Sequence, residues 1–258
     1  MKKTIIVLLA LSSMAMAGDS DLLQPASYKW TDFSADPLGG QWRENATPMT
    51  PSTEKVTIAG TEATALTSYL EGRGGSTFFK DSIVAAATND TASFTITFDY
   101  LYKAANTSWG QAIFHVGAKG QGISIASSGT GLVSVFTGNA GNDADYVTKA
   151  EAAGVSTSMK INEWNTIAIT FGNDYQTDIF VNGEKVGSTT LSNISWGGEA
   201  NNYCFGEVAP GWQSSGQKPF NDSQARLANF TATFVPEPAT ATLSLLALAG
   251  LASRRRRH

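Results

Sequence analysis

Hydrophobic and polar residues alternate along several segments of the chain, as they do in a strand with one buried face. In residues 91–102 the hydrophobic positions of one face are Phe94, Ile96, Phe98 and Tyr100. Residues 164–171 alternate in the same way and place Ile167, Ile169 and Phe171 on one face. Because successive side chains of a strand point to opposite faces, both segments are predicted to be strands that bury one face.

Turn residues follow the second of these segments. Residues 172–175 form the first turn, and the chain returns through residues 177–181. Asn182-Gly183 then gives a strong hairpin signal, because both residues tolerate the positive φ that a type I′ turn demands. Residues 185–189 pair back, so the whole stretch is predicted to be a β-meander.

Similar patterns recur through the rest of the chain. Further short strands are predicted at residues 56–58, 64–70, 111–117, 122–127, 132–137 and 226–234, with a flexible turn at 72–75. Residues 76–79 form a short apolar run, and residues 83–87 fit either a short strand or a helical turn. About a dozen strands at short intervals, without a convincing helix, predict an all-β fold, a two-sheet antiparallel jelly-roll sandwich.

Composition supports this fold class. Charged residues make up only 16% of the chain, which suits short strands and polar turns better than long surface helices. A chain of 258 residues buries enough surface that its core requires no metal or disulfide. Cys204 is the only cysteine, so no internal disulfide forms, and it is predicted to be a small buried hydrophobic residue.

The basic residues at the two ends of the chain mask the acidic net charge of the segment between them. Of 18 basic side chains, 12 remain without Lys2, Lys3 and the arginines of residues 254–257, and of 22 acidic ones, 21 remain without Glu237. The segment between the ends therefore has a net charge near −9. An acidic body repels phosphate backbones, so a nucleic acid is not an expected partner.

Residues 1–17 have the parts of a secretory signal peptide. Lys2 and Lys3 form the basic region, residues 4–11 are apolar, and Ala15 and Ala17 are the small residues of a cleavage site. The apolar run is shorter than the roughly 20 residues that a membrane-spanning helix needs. We therefore expect cleavage by signal peptidase before Gly18 and export of the mature chain.

Residues 235–258 form a second terminal signal. Pro236, Glu237 and Pro238 precede an apolar run at residues 239–253, which is predicted to be a transmembrane helix. The cluster at the end consists of Arg254, Arg255, Arg256 and Arg257. Arginines at this position extend the apolar run by snorkelling and hold that end in the cytoplasm.

The order of these parts resembles the PEP-CTERM sorting signal of exported bacterial proteins. The resemblance implies processing by an exosortase-type membrane protease near Pro236, Glu237 and Pro238. The protein would pass from an intermediate anchored in the inner membrane to the cell envelope, the cell surface or the extracellular matrix. An ordinary tail anchor that stays in the inner membrane is the alternative.

The body, residues 18–234, resembles the concanavalin A-like and laminin G-like jelly rolls. The resemblance rests on residues 93–98, on residues 122–125, and above all on the strand at 164–168 with the hairpin at 179–184. It implies a two-sheet jelly roll. It leaves the function open, because the superfamily contains lectins, glycan-hydrolysing enzymes and adhesive modules.

Catalytic patterns are absent from the sequence of the body. Glucanases of this fold carry Glu-x-Asp-x-(x)-Glu on one strand, which places two carboxylates beside one glycosidic bond, and no such run exists here. The body has a single histidine, His115, which is predicted to be a hydrogen-bonded packing residue. The sequence therefore predicts a protein that is not an enzyme.

A long segment at residues 192–223 is the candidate for ligand contact. It holds aromatic and amide side chains, which stack on sugar faces and pair with sugar hydroxyls: Trp196, Asn201, Asn202, Tyr203, Trp212 and Gln213. The alternative is that the aromatic residues pin the segment to the core.

No cofactor is required by this sequence, but calcium has a candidate site. Asn142, Asp143 and Asp145 offer the hard oxygen ligands that Ca²⁺ takes. A solvated loop is the alternative.

The sequence favours an exported, non-catalytic binding or adhesion module that is sorted to the envelope or matrix. A glycan is the favoured ligand class, and other envelope proteins are further candidate partners. The alternatives are a structural protein of the extracellular matrix without a small-ligand site and a glycoside hydrolase with a non-standard site.

Overall fold

The computed structural model describes residues 25–44, 47–73, 77–103, 111–117, 121–127, 131–139, 148–151, 159–192, 194–196, 202–206 and 224–236. The first half of the chain contains β1 (Ala26–Trp30), β2 (Gln41–Glu44), β3 (Thr47–Pro48), β4 (Thr53–Ile58), β5 (Thr61–Leu66), β6 (Leu70–Arg73), α1 (Thr77–Ala87), β7 (Ser93–Leu101), β8 (Gln111–Val116) and β9 (Gln121–Ser127). The second half contains β10 (Val133–Asn139), β11 (Thr148–Glu151), β12 (Trp164–Phe171), β13 (Gln176–Val181), β14 (Glu184–Thr190), β15 (Asn202–Phe205) and β16 (Arg226–Val235).

The strands form two antiparallel sheets. Sheet A runs in the order β14-β13-β12-β7-β16-β5-β4, and β1 also pairs with β16. Sheet B runs in the order β11-β10-β9-β8-β15-β6-β2-β3. The predicted two-sheet antiparallel sandwich is confirmed, and the predicted meander is formed by β12, β13 and β14 at one edge of sheet A.

One element differs from the sequence expectation. Residues 77–87 form the helix α1, although the sequence suggested only a short apolar run and an ambiguous segment there. The buried positions Phe79, Ile83, Ala86 and Ala87 are spaced as on one face of a helix. This face packs beside β7, so a segment too short to show a clear helical period is fixed by its tertiary contacts.

A second difference lies just before the helix. The sequence suggested one strand at 64–70 followed by a flexible turn, but the structure has two strands in different sheets. β5 pairs with β4 and β16 in sheet A, and β6 pairs with β2 and β15 in sheet B. The chain therefore crosses between the sheets at residues 67–69, and Gly72 belongs to a strand.

Aromatic side chains fill the space between the two sheets. Phe230 of β16 lies 5.2 Å from Trp30, 5.0 Å from Phe114 and 4.9 Å from Phe205, measured between ring centroids. Trp30 belongs to sheet A, whereas Phe114 and Phe205 belong to sheet B. Edge-to-face and tilted pairs at these distances each add about 0.5–1.5 kcal/mol beyond the burial of their area.

A buried asparagine fixes the start of β12. The Asn165 side chain is fully buried, and its Nδ2 donates to the carbonyl oxygens of Lys160 and Glu163, both at 3.0 Å. Its Oδ1 accepts from the backbone N–H of Lys160 at 2.9 Å. One side chain thus satisfies the backbone groups of the turn that leads into the meander.

Neither predicted terminal segment falls within the described residues. The signal peptide with Ala15, Ala17 and Gly18, and the apolar run with Arg254, Arg255, Arg256 and Arg257, lie outside them, as do Glu237 and Pro238. Pro236 is the last residue described. Within the described residues, α1 is too short and too polar to cross a membrane.

We expect Phe230→Ala to lower the free energy of unfolding by about 3–5 kcal/mol, the usual cost of deleting a buried phenylalanine side chain. Phe180→Ala on β13 is the matched control, because Phe180 is half-buried on the opposite face of sheet A; its cost should stay near 1 kcal/mol. Urea unfolding followed by tryptophan fluorescence measures both. Equal losses would contradict the role of Phe230 in joining the sheets.

Stability is expected to fall in alkaline solution because of buried phenols. Burial raises the pKa of Tyr203, and the adjacent Asp36 carboxylate raises it further; burial also raises the pKa of Tyr100. Phenols of an unfolded chain titrate near pH 10, so the stabilisation is complete below about pH 10 and is lost as the pH rises further. The urea midpoint should therefore decrease above that pH.

Tyr100→Phe should make this alkaline decrease shallower. Tyr28→Phe is the control, because Tyr28 is half-buried at the edge of the core. If the two variants and the wild type lose stability with the same pH dependence, the buried Tyr100 phenol is not its cause.

Candidate functional site

The two sheets differ in how their outward faces meet solvent. On sheet A, most of the outward side chains of β7 and β12 are polar, and all of them are at least partly exposed. Asp99 accepts hydrogen bonds there from Thr166 Oγ1 at 2.6 Å and from Asn229 Nδ2 at 2.7 Å. A solvated polar face of this kind is usual for an antiparallel sheet.

The outward face of sheet B carries a row of aligned side chains. Strand register places Arg43 of β2, Glu71 of β6, Cys204 of β15, His115 of β8 and Ser124 of β9 directly beside one another. We call these five residues the polar row.

The direction of the row follows from its neighbours along the strands. Tyr203 points toward sheet A, because its ring lies 5.9 Å from that of Trp30. A side chain at Gly72 would meet this ring, since a Cβ there would lie 2.4 Å from it. Because side chains alternate along a strand, Cys204 and Glu71 point the other way, out of the sandwich.

The polar row is shielded although it faces outward. The exposed fraction is 8% for Glu71, 3% for His115 and 0% for Ser124. Arg43 is half-buried, and its Nε is a buried atom without a hydrogen-bond partner in the described part of the chain. The row therefore consists of polar side chains, as at a protein surface, several of which are nevertheless as buried as core residues.

His115 is held by two hydrogen bonds. Its Nε2 lies 3.2 Å from the carbonyl oxygen of Gly117, which only accepts, so Nε2 carries a proton. In the neutral ring, Nδ1 then accepts from the Ser124 hydroxyl at 2.7 Å. The prediction of a hydrogen-bonded packing histidine is confirmed, and so is the burial of Cys204.

The row contains a single carboxylate. Glu71 Oε2 accepts a hydrogen bond from the Tyr69 hydroxyl at 3.4 Å. A glycosidase requires two carboxyl groups separated by about 5–9.5 Å. The polar row by itself can donate and accept hydrogen bonds to a ligand but does not form such a pair.

Trp196 is brought near one end of the row. It is half-buried and packs against the core. The neighbouring carbonyl of Ser195 accepts a hydrogen bond at 2.6 Å from the backbone N–H of Gly122, which lies on β9 about 7 Å along the strand from Ser124. Gly122 has a φ of 81°, and a Cβ there would lie 1.9 Å from the Val116 carbonyl oxygen, so this approach requires glycine.

Tyr203 does not serve as a ligand-contact residue in this structure. Its side chain is fully buried, and its hydroxyl donates to Asp36 Oδ1 at 2.5 Å and accepts from Trp30 Nε1 at 3.3 Å. At this position the structure agrees with the alternative, in which the aromatic residue anchors the segment to the core. The backbone of Asn202 begins β15, opposite Arg73 of β6.

The other predicted site residues lie outside the described part of the chain. These are Asn201, Trp212 and Gln213 of the ligand-contact set and Asn142, Asp143 and Asp145 of the calcium set. Among the described residues, no three His, Cys, Asp or Glu side chains are grouped as a metal site requires.

The polar row is not predicted by any local pattern of the sequence. Its five residues come from five strands, and no two of them are close neighbours in the chain. Of the five residues, the sequence singles out His115 and Cys204, and it predicts each of them only as a packing residue. The usable signal would have been polar residues at positions that the alternation assigns to one face of several strands.

Comparison with known proteins places this chain by family. Residues 74–221, more than half of the chain, match the model of the concanavalin A-like lectin/glucanases superfamily that describes a laminin G domain. No curated protein matches the sequence.

Several solved structures of botulinum neurotoxins are similar in part. One is of the type C toxin, whose cell entry depends on two ganglioside molecules, with 13% identity and a TM-score of 0.44 over 81% of this chain and 42% of that one. Another is the receptor-binding domain of the C/D mosaic serotype, with 11% identity and a TM-score of 0.46 over 76% and 42%. A third is the binding domain of toxin DC in complex with rat synaptotagmin II, with 13% identity and a TM-score of 0.43 over 81% and 43%. The chain thus spans less than half the length of these structures.

The family assignment agrees with the strands that carried the resemblance. Residues 93–98 lie in β7, residues 122–125 in β9, and residues 164–184 in the meander of β12, β13 and β14. Sequence match and architecture together lead to one conclusion: this chain belongs to the concanavalin A-like lectin/glucanases superfamily, as a laminin G-like jelly roll.

Proposed function

We propose that the protein is an exported, non-catalytic module that binds a glycan at the outward face of sheet B. The observation that carries this proposal is the polar row, in which charged and hydroxyl side chains on an outward face are nevertheless shielded from water. Hydrogen bonds made in such an environment are stronger than those made at an open surface.

The chemistry of the row suits sugar hydroxyls. A hydroxyl group both donates and accepts, and the row offers Glu71 and Ser124 as acceptors and Arg43 as a donor. Arg43 is the half-buried end of the row and its buried Nε–H lacks a partner among the described residues, so we place one end of the ligand site there. Rigid strands rather than loops hold all of these groups, which keeps them in position for binding.

The aromatic contribution comes from the segment next to β9. Half-buried Trp196 offers an indole face of the kind that stacks on the C–H surface of a sugar ring. Trp212 and Gln213 remain proposed contacts of the same segment, and calcium at Asn142, Asp143 and Asp145 remains a proposal as well.

The non-catalytic assignment rests on the composition of the row. Its single carboxylate, Glu71, does not make the acid and nucleophile pair of a glycosidase. The nitrogens of His115 are engaged by Ser124 and by the Gly117 carbonyl, which favours a structural histidine over a general base.

Export and sorting complete the proposal. The signal peptide at residues 1–17 would direct export, and residues 235–258 would act as a PEP-CTERM signal for an exosortase-type protease. The mature domain, residues 18–234, would then act at the cell envelope, the cell surface or in the extracellular matrix.

A glycan array with the purified protein tests the binding site. We expect Arg43→Ala and Trp196→Ala each to weaken binding to any glycan that is retained by the wild type by about fivefold or more, since truncating a central arginine or tryptophan contact of a binding site costs more than about 1 kcal/mol. Thr97→Ala, on the outward face of sheet A, is the matched control and should leave binding unchanged.

Three outcomes would contradict this proposal. Binding that survives both substitutions would refute the site, and the absence of any bound glycan would favour a structural matrix protein. Release of reducing sugar that is lost in Glu71→Gln would instead identify a hydrolase.

Sorting is tested separately in a host that has the exosortase-type protease. Replacing Arg254, Arg255, Arg256 and Arg257 with serine should prevent retention of the precursor in the inner membrane, because the arginines hold that end in the cytoplasm. Cell fractionation with an antibody against the body measures this. Unchanged processing and location of the serine variant would contradict the sorting proposal without affecting the binding site.

A further inference from the structure

The hairpin between β13 and β14 contains an exposed amide that is tied to the core. Asn182 Oδ1 accepts from the backbone N–H of Thr166 at 3.0 Å, and Asn182 Nδ2 donates to Oδ1 of the buried Asn165 at 3.1 Å. The backbone N–H of Asn182 also donates to the Thr166 carbonyl at 2.7 Å. Both ends of the amide are therefore used by the native structure.

The residue after this amide makes it chemically vulnerable. Asn182-Gly183 is the only Asn-Gly pair in the sequence. Glycine has no side chain to shield its backbone nitrogen, so that nitrogen can approach the Cγ atom of the preceding asparagine. The turn itself favours this pair, because φ is 52° at Asn182 and 83° at Gly183.

We infer that Asn182 is the principal deamidation site of the chain and that the buried Asn165 controls its rate. In this reaction the backbone nitrogen of Gly183 loses its proton and bonds to Cγ of Asn182, while the Cγ–Nδ2 bond breaks and ammonia leaves. Water then opens the cyclic imide at either carbonyl and yields aspartate or isoaspartate. No oxidant or reductant takes part.

The native hydrogen bonds oppose the first step. Attack by Gly183 requires the Asn182 amide to rotate away from both Thr166 and Asn165. Asn165 cannot follow this rotation, because Lys160 and Glu163 hold it as well. The reaction therefore proceeds from molecules in which the hairpin has opened, and these are a minority under native conditions.

Conversion removes the contact that holds the hairpin. An aspartate at position 182 has no Nδ2–H, so a carboxylate oxygen faces Asn165 Oδ1 and two acceptors meet without a proton between them. Isoaspartate, in addition, lengthens the backbone by one methylene group within the turn, which disturbs the register of β13 and β14. As Asn182 is converted over time, the hairpin of the meander therefore becomes less ordered.

Peptide mapping by mass spectrometry tests the inference on the full chain in mildly alkaline buffer. In urea at a denaturing concentration, Asn182 is expected to convert faster than every other asparagine, with the half-buried turn residue Asn173 as the internal reference. In the native protein the conversion of Asn182 should be slower by roughly tenfold or more, because only opened hairpins react.

Asn165→Ala should raise the rate in the native protein toward the rate in urea. Where this variant fails to fold, the wild type at urea concentrations below its unfolding transition replaces it, and conversion should rise with urea as the hairpin opens. The purified converted protein should also have a lower urea midpoint than the unconverted one.

Two results would overturn the inference. If Asn182 in urea reacts no faster than Asn173, it is not the principal site. If the native and unfolded chains convert at the same rate, or if conversion in the native protein responds neither to Asn165→Ala nor to urea, the hydrogen bonds do not control the reaction.

Discussion

Packing between the two sheets is the interaction on which every other feature depends. Phe230 and Trp30 of sheet A interlock with Phe114 and Phe205 of sheet B, and these rings leave almost no surface exposed. This layer is built from side chains on the inward faces of the central strands. The outward faces are therefore not needed to hold the two sheets together. One of them is solvated, and the other carries the polar row.

A shielded row of polar groups is costly for a protein that needs only stability. Burying a hydroxyl or charged group is unfavourable unless its hydrogen bonds are made, and apolar residues would fill the same positions more simply. The Ser124 and His115 pair recovers part of this cost through a short hydrogen bond. Departures from simple packing of this kind are expected where a sequence serves function as well as folding.

The sequence predicted best the elements whose information is local. The alternation in β7 and β12 and the Asn182-Gly183 turn each lie within a few residues, and the structure confirms them. The helix α1 was missed because its apolar face is short and takes its identity from contacts with β7. The polar row could not be predicted because it exists only after register has aligned five separate strands. The burial of Tyr203 likewise depends on a distant residue, Trp30, which is 173 residues away in the chain.

The position of β16 has a consequence for how the protein is made. This strand is the last one described in the chain, yet it lies inside sheet A, with β7 on one side and β5 and β1 on the other. Strand β1, the β4-β5 pair and the group of β7, β12, β13 and β14 stay separate until residues 226–235 have been synthesised, and the final closure pairs Ala26 with Phe234. Contacts between such distant residues form slowly, so sheet A closes only after β16 has emerged from the ribosome.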